Sequence, residues 1–150
     1  MFIRTYTVVD RPFAEVEAEF VKGAANWMPD LALKANGHGV RLLSELGLKM
    51  GPRRIGKRIE LKISEPLRSP GLTLFSMRWQ AASEAGFFPA LEGQMEIAAL
   101  GGSSTQLGLS GTYRPPLGIV GAIADRALLH RVAEVTVKDF IERIGDRLKA

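Results

Sequence analysis

The last third of the chain places the strongest limit on the fold. Leu129, Val132, Ala133, Thr136, Val137, Phe140, Ile141, Ile144 and Leu148 fall on one arc of a helix that turns about 100° per residue, and Arg131, Glu134, Lys138 and Glu142 fall opposite. The pattern predicts one long helix from about Ile119 to Leu148, entered after Pro115-Pro116. Such a helix cannot leave its apolar side in water, so a second apolar surface must receive it.

The stretch from Gly39 to Tyr113 predicts that surface. Hydrophobicity there alternates with a period of two between turn clusters at Gly51-Pro52, Glu65-Pro66, Ser69-Pro70-Gly71, Glu84-Ala85-Gly86 and Gly101-Gly102-Ser103. Five strands in an antiparallel meander follow from this spacing. Ile55, Ile59, Leu61 and Ile63 share a face, as do Phe75, Met77 and Trp79, then Leu91, Met95 and Ile97, then Leu107, Leu109 and Tyr113. Arg58, Glu60, Lys62, Arg78, Glu92, Gln94, Glu96, Gln106 and Ser110 alternate to the wet side.

Ahead of the meander, Phe2 to Val9 reads as a strand closed by Asp10-Arg11-Pro12, with Pro12 suited to a first helical turn and Asp10 to its cap. Phe13, Val16, Phe20 and Val21 predict a short helix ending by Gly23. Asn26-Trp27-Met28-Pro29-Asp30 then predicts a turn, with a second short helix or helical turn near it, because Pro29 disfavours helical geometry at Met28. The expectation is an α+β chain: a curved antiparallel sheet wrapped around a long C-terminal helix, with two short helices after the first strand. With 150 residues, 46% of them hydrophobic and 24% charged, the chain has the size and composition of one globular domain, 1–150.

Composition excludes several chemistries. The chain has no Cys, so thiol catalysis and thiolate metal sites are out, and its two His are too few for an all-His metal centre; no metal and no cofactor are expected. No apolar run reaches the ~20 residues of a membrane span, and Met1 to Asp10 lacks the apolar core of a signal peptide, so a cytoplasmic location is expected. The pI near 9.7 invites a nucleic-acid reading. The cations concentrate between Lys49 and Arg68, however, on a segment whose alternation marks a solvated sheet face without the interleaved aromatics of a base-stacking surface. Nucleic acid is therefore not an expected partner, while peripheral contact with anionic lipid headgroups stays open.

Strand, short helices, meander and long C-terminal helix is the helix-grip order, and local motifs agree with it. Val9-Asp10-Arg11-Pro12-Phe13-Ala14-Glu15-Val16 resembles the strand-to-helix entry of the START-like or SRPBCC superfamily, which includes the birch-pollen-allergen and polyketide cyclase/dehydrase families. Asn26-Trp27-Met28-Pro29 is similar to that superfamily's Asn-Trp-x-Pro turn. Leu109-Ser110-Gly111-Thr112-Tyr113-Arg114-Pro115-Pro116-Leu117-Gly118, followed by Asp125-Arg126-Ala127-Leu128-Leu129-His130-Arg131-Val132-Ala133-Glu134, resembles bacterial members in which the long helix follows a Pro-Pro-Leu-Gly turn. The resemblance spans essentially the whole chain. It implies a hydrophobic molecule held between helix and sheet or, in a minority of members, cyclisation, dehydration or hydrolysis of that molecule.

The residues themselves supply no convergent acid–base pair on the apolar face, since Glu60, Glu92 and Glu96 alternate outward. Tyr113 and Tyr6 place a hydroxyl at the pocket edge on one reading, and pack their rings with wetted tips on the other. Asp125, Arg126 and His130 project toward the arc of Leu129 and Ala133 if the helix is continuous from Ile119. Arg126 and His130 are then neighbours, spaced to clasp a carboxylate or phosphate or, equally, to bond the Pro-Pro turn and nearby loops. Two function classes remain, with a filled-core interaction module as a third. A binder of a lipid, polyketide, isoprenoid or aromatic metabolite would use Ile59, Leu61, Phe75, Met77, Trp79, Leu91, Met95, Leu107, Leu109, Tyr113, Arg126, His130 and Ala133. A cyclase- or dehydratase-like enzyme would use His130 with Tyr113 or Asp125 as proton carriers.

Overall fold

The computed structural model describes residues 1–45, 59–81, 90–114 and 126–149. Strand β1 (Phe2–Val9) leads into helix α1 (Phe13–Glu45); β2 (Ile59–Ile63), β3 (Leu67–Ser69), β4 (Leu72–Ala81), β5 (Ala90–Leu100) and β6 (Ser104–Arg114) follow, and helix α2 (Arg126–Lys149) closes the chain. The six strands form one antiparallel sheet in the order β1-β6-β5-β4-β2, with β3 also on β4. The five strands match the alternation of the sequence from Ile59 onward, whereas residues 39–45, read as part of the alternating stretch, belong to α1, and 46–58 lie outside the described residues.

β2 and β3 pair with successive parts of β4 in registers that differ by one residue, Ile63 opposite Met77 and Leu67 opposite Leu74. The extra residue lies around Ser64-Glu65-Pro66, where Pro66 has no N–H for a ladder. Ser64 bridges the break: its N–H donates to Ser76 O at 2.9 Å, and its Oγ accepts the Ser76 N–H at 2.8 Å. Pro70-Gly71 and Gly101-Gly102-Ser103 make the turns into β4 and β6, with Gly71 and Gly101 at φ 71° and 65°, where a side chain would be strained.

α1 differs from its expectation. It is one helix of 33 residues that passes through Gly23 and Pro29, so neither the stop at Gly23 nor the turn over Asn26–Pro29 is present. Val16, Phe20, Ala24, Met28, Ala32 and Ala35 are all buried on it, a run spaced mostly by four that crosses both residues. Tertiary burial of this face outweighs the local cost of about 3 kcal/mol for an internal Pro. Val21, placed in the apolar set by the sequence, is exposed. Asp10 does not cap the helix as expected but accepts the Ser104 hydroxyl at 3.3 Å.

α2 follows the sequence closely. Val132, Ala133, Thr136, Val137, Phe140, Ile141, Ile144 and Leu148 are buried, and Arg131, Glu134, Lys138 and Glu142 are exposed. The expected helical start at Ile119 lies outside the described residues. The helix rests against α1, β1 and β6. At its far end Arg11 donates from Nη1 to Leu148 O at 2.6 Å and contacts Glu19 at 2.9 Å, fastening the last turn of α2 to the second turn of α1. A cation at this position also opposes the partial negative charge of the helix C-terminus.

Candidate functional site

Because directly opposed residues in an antiparallel sheet point to the same side, the register arranges the inner face in rows. Leu61, Trp79, Leu91 and Tyr113 form one row across β2, β4, β5 and β6. Ile63, Met77, Gly93, Gly111 and Ile3 form the next, and Phe75, Met95, Leu109 and Thr5 the third. Trp79, Leu91, Tyr113, Met77, Phe75, Met95, Leu107 and Leu109 are buried, and Leu61 is partly buried against the same core. The apolar wall expected from the sequence is therefore present on one surface.

The helix grips this wall unevenly. At Gly145 the α2 backbone comes so near β1 that a Cβ would stand 3.0 Å from Thr7 Cγ2. Over β4 the space is spanned instead by large side chains, the Trp79 and Phe140 rings meeting edge to face at 5.1 Å. Toward its start α2 presents smaller buried groups, Ala133 and Thr136, the latter beside Tyr113. The row of Trp79 and Tyr113 crosses the end of the sheet at which β4 and β6 finish and β2 and β5 begin.

Polar groups inside are few. Thr73, Thr105 and Thr136 are buried, and no buried Asp, Glu, Lys, Arg or His occurs among the described residues. Thr105 donates to Arg11 O at 2.8 Å, and Thr136 to Val132 O at 2.8 Å. The Tyr113 phenol lies near the Thr136 hydroxyl. Burial pushes the Tyr113 phenol far above its ordinary value, and Thr136, able to turn its O–H toward a phenolate, offsets this only in part. A buried neutral phenol replaces the expected wetted tip. Trp79 Nε1 is the one buried side-chain polar atom without a hydrogen-bond partner among the described residues. An unmade bond of this kind costs about 1–3 kcal/mol.

Of Asp125, Arg126 and His130, the polar residues expected at the pocket mouth, only His130 has a described side chain. His130 is exposed on α2 and pairs with Glu134 at 3.0 Å, on the solvent side of the helix and not on the arc of Ala133. The physical reason is the turn angle: His130 and Glu134 share one stripe at a spacing of four, whereas Ala133, Val137 and Phe140 share another. Asp125 lies outside the described residues, as do the side chains of Ile59 and Arg126 and the basic residues from Lys49 to Arg58. Tyr6 points outward and is exposed. Among the described residues no group of three or more His, Asp or Glu is placed to hold a metal ion, and no helix is long and apolar enough to cross a membrane.

Several features were not singled out by the sequence. Glu17 on α1 accepts hydrogen bonds from Thr73 Oγ1 and from Arg68 Nη2, the latter at 3.2 Å, tying α1 to β4 and β3. Its spacing among other Glu residues gave no sign of this, because the partner is set by tertiary packing. Two surface grooves lie away from the gripped wall. One of about 680 Å³ runs between α1 and the end of α2, beside Lys22, Trp27 and Arg147; one of about 520 Å³ crosses the outer sheet face beside Lys62, Ser76 and Arg78.

No protein-family model matches the chain, and no curated protein sequence matches it. Solved structures do. A conserved protein from Geobacillus kaustophilus is 14% identical with a TM-score of 0.54, covering 99% of this chain and 95% of that one. A hypothetical protein from Helicobacter pylori is 9% identical with a TM-score of 0.51, over 95% of this chain and 87% of that one. An aromatase/cyclase from Streptomyces sp. R1128 is 13% identical with a TM-score of 0.41, over 99% of this chain and 93% of that one. At these identities the likeness is one of fold. A curved antiparallel sheet closed over a long C-terminal helix, the helix-grip arrangement, is the fold this chain shares with the Geobacillus kaustophilus and Helicobacter pylori proteins.

Proposed function

We propose that the protein binds a hydrophobic small molecule between the inner sheet face and α2, at the end marked by Leu61, Trp79, Leu91, Tyr113 and Ala133. The observation that carries this reading is the chemistry of that interior: apolar walls, neutral hydroxyls and no buried charged side chain among the described residues. Such a lining gains free energy by removing apolar surface from water, at roughly 25 cal/mol per Å². It offers no ion to stabilise a developing charge.

Binding is favoured over cyclase- or dehydratase-like catalysis because, of the proton carriers that catalysis would use, the two with described side chains, Tyr113 and His130, do not converge. Tyr113 is buried and neutral, whereas His130 is in solvent with Glu134. The test is a titration with the neutral fluorescent probe N-phenyl-1-naphthylamine. Saturable uptake of one probe per chain is expected, lost in Ala133→Phe, which fills the small-residue part of the grip, and retained in His130→Ala. Absence of saturable uptake by the wild-type protein would contradict the reading.

A further inference from the structure

Trp79 is fully buried in the centre of the proposed site, yet among the described residues there it is the one whose polar side-chain atom has no hydrogen-bond partner. The three buried threonines are satisfied from within: Thr73 by Glu17, Thr105 by Arg11 O, and Thr136 by Val132 O. Buried donors in proteins are almost always paired, and an indole N–H can only donate. Phe at this position would supply the ring contact with Phe140 and leave no donor behind.

We propose that the Trp79 indole N–H is the polar anchor of the molecule held in the interior, and that this molecule is an apolar compound carrying a neutral acceptor oxygen: a ketone, quinone, aldehyde or ester. This inference rests on the binding role proposed above and narrows its ligand class. An acceptor oxygen is required because the indole donates only. A neutral one is required because no buried cation among the described residues is there to hold a carboxylate or phosphate out of water. The anchor also orients the ligand, since Nε1 is a single directional donor while the walls of Leu61, Met77, Leu91 and Met95 are not.

The probes 9-fluorenone and fluorene separate the anchor from simple apolar burial, because they share a three-ring skeleton and differ in one carbonyl. Both are titrated into ¹⁵N-labelled protein, whose two Trp give two indole signals, that of Trp79 assigned by its loss in Trp79→Phe. Fluorenone is expected to bind at least about tenfold more tightly than fluorene, the worth of one buried hydrogen bond, although fluorene is the more apolar of the two. Fluorenone should also move the Trp79 indole proton downfield, and Trp79→Phe should bring the two affinities together. Equal affinities with an unmoved indole proton would overturn the anchor and leave apolar binding standing. So would an indole proton already shifted upfield in the free protein, which would show the N–H directed at the face of Phe140. Failure of both compounds to bind would overturn the binding role and the anchor with it. If Trp79→Phe does not fold, the wild-type affinities and the proton shift still decide.

Discussion

Gly93 on β5 and Gly111 on β6 face each other so closely that neither position has room for a Cβ: one built on Gly111 would stand 2.5 Å from Glu92 O and 2.7 Å from Gly93 Cα, and one on Gly93 would run into Ser110 O. The pair lets the two strand backbones approach closely in the middle of the sheet, where glycine in a strand is otherwise destabilising. Gly93→Ala and Gly111→Ala should each lower stability by about 3 kcal/mol or more, because the obstructing atoms are backbone and cannot rotate away. Gly102→Ala, with nothing near its Cβ, should change stability by no more than about 0.5 kcal/mol. Urea unfolding of the three variants checks the contrast, and equal effects would show that the close approach is not what the glycines serve.

Tyr113 ties stability to alkaline pH. Its folded-state pKa is raised, chiefly by burial, so folded and unfolded chains hold the phenolic proton alike below the ordinary value of about 10. Above that value the unfolded phenol ionises while the folded one does not, and stability falls with a slope that approaches about 1.4 kcal/mol per pH unit for this one proton. The wild-type stability curve should therefore drop more steeply above pH ~10 than that of Tyr113→Phe. In a Tyr6→Phe background, phenolate absorbance near 295 nm should appear only together with unfolding. Ionisation of Tyr113 before loss of helical signal would contradict its placement beneath α2.

Glu17 and Thr73 should behave as a coupled pair. Thr73 is fully buried, and its hydroxyl donates to a carboxylate that reaches it from α1. Removing that acceptor in Glu17→Ala leaves a buried hydroxyl unpaired and should cost about 1–3 kcal/mol. Thr73→Val made in the same chain removes the orphaned donor, so the double variant should be more stable than the sum of the two single losses. Strict additivity in denaturant unfolding would show the contact to be incidental.

What the sequence made legible follows from what repeats within an element. The eight described positions of the α2 arc and the alternation of Phe75, Met77 and Trp79 each reflect one local period against one surface. α1 was misread because the local signals of Gly23 and Pro29 compete with a tertiary one. That signal was present as small and apolar residues at Val16, Phe20, Ala24, Met28 and Ala32, but alanine is too weakly hydrophobic to mark a buried face on its own. At the candidate site the walls were legible and the polar groups were not. A continuous helix puts His130 outside by geometry, yet the solvent partner that holds it there, Glu134, was read only as part of the polar face. The unpaired nitrogen of Trp79 has no sequence signature, because whether an N–H finds an acceptor depends on everything packed around it.

The most direct test of the account is the mass of the protein as it is purified. Native mass spectrometry before and after organic extraction should show a discrete mass loss equal to one apolar, carbonyl-bearing passenger per chain, recoverable in the organic phase. An unchanged mass, together with no uptake of 9-fluorenone added afterwards, would mean that the space between sheet and α2 is filled by the chain's own side chains, and would contradict a ligand-binding role.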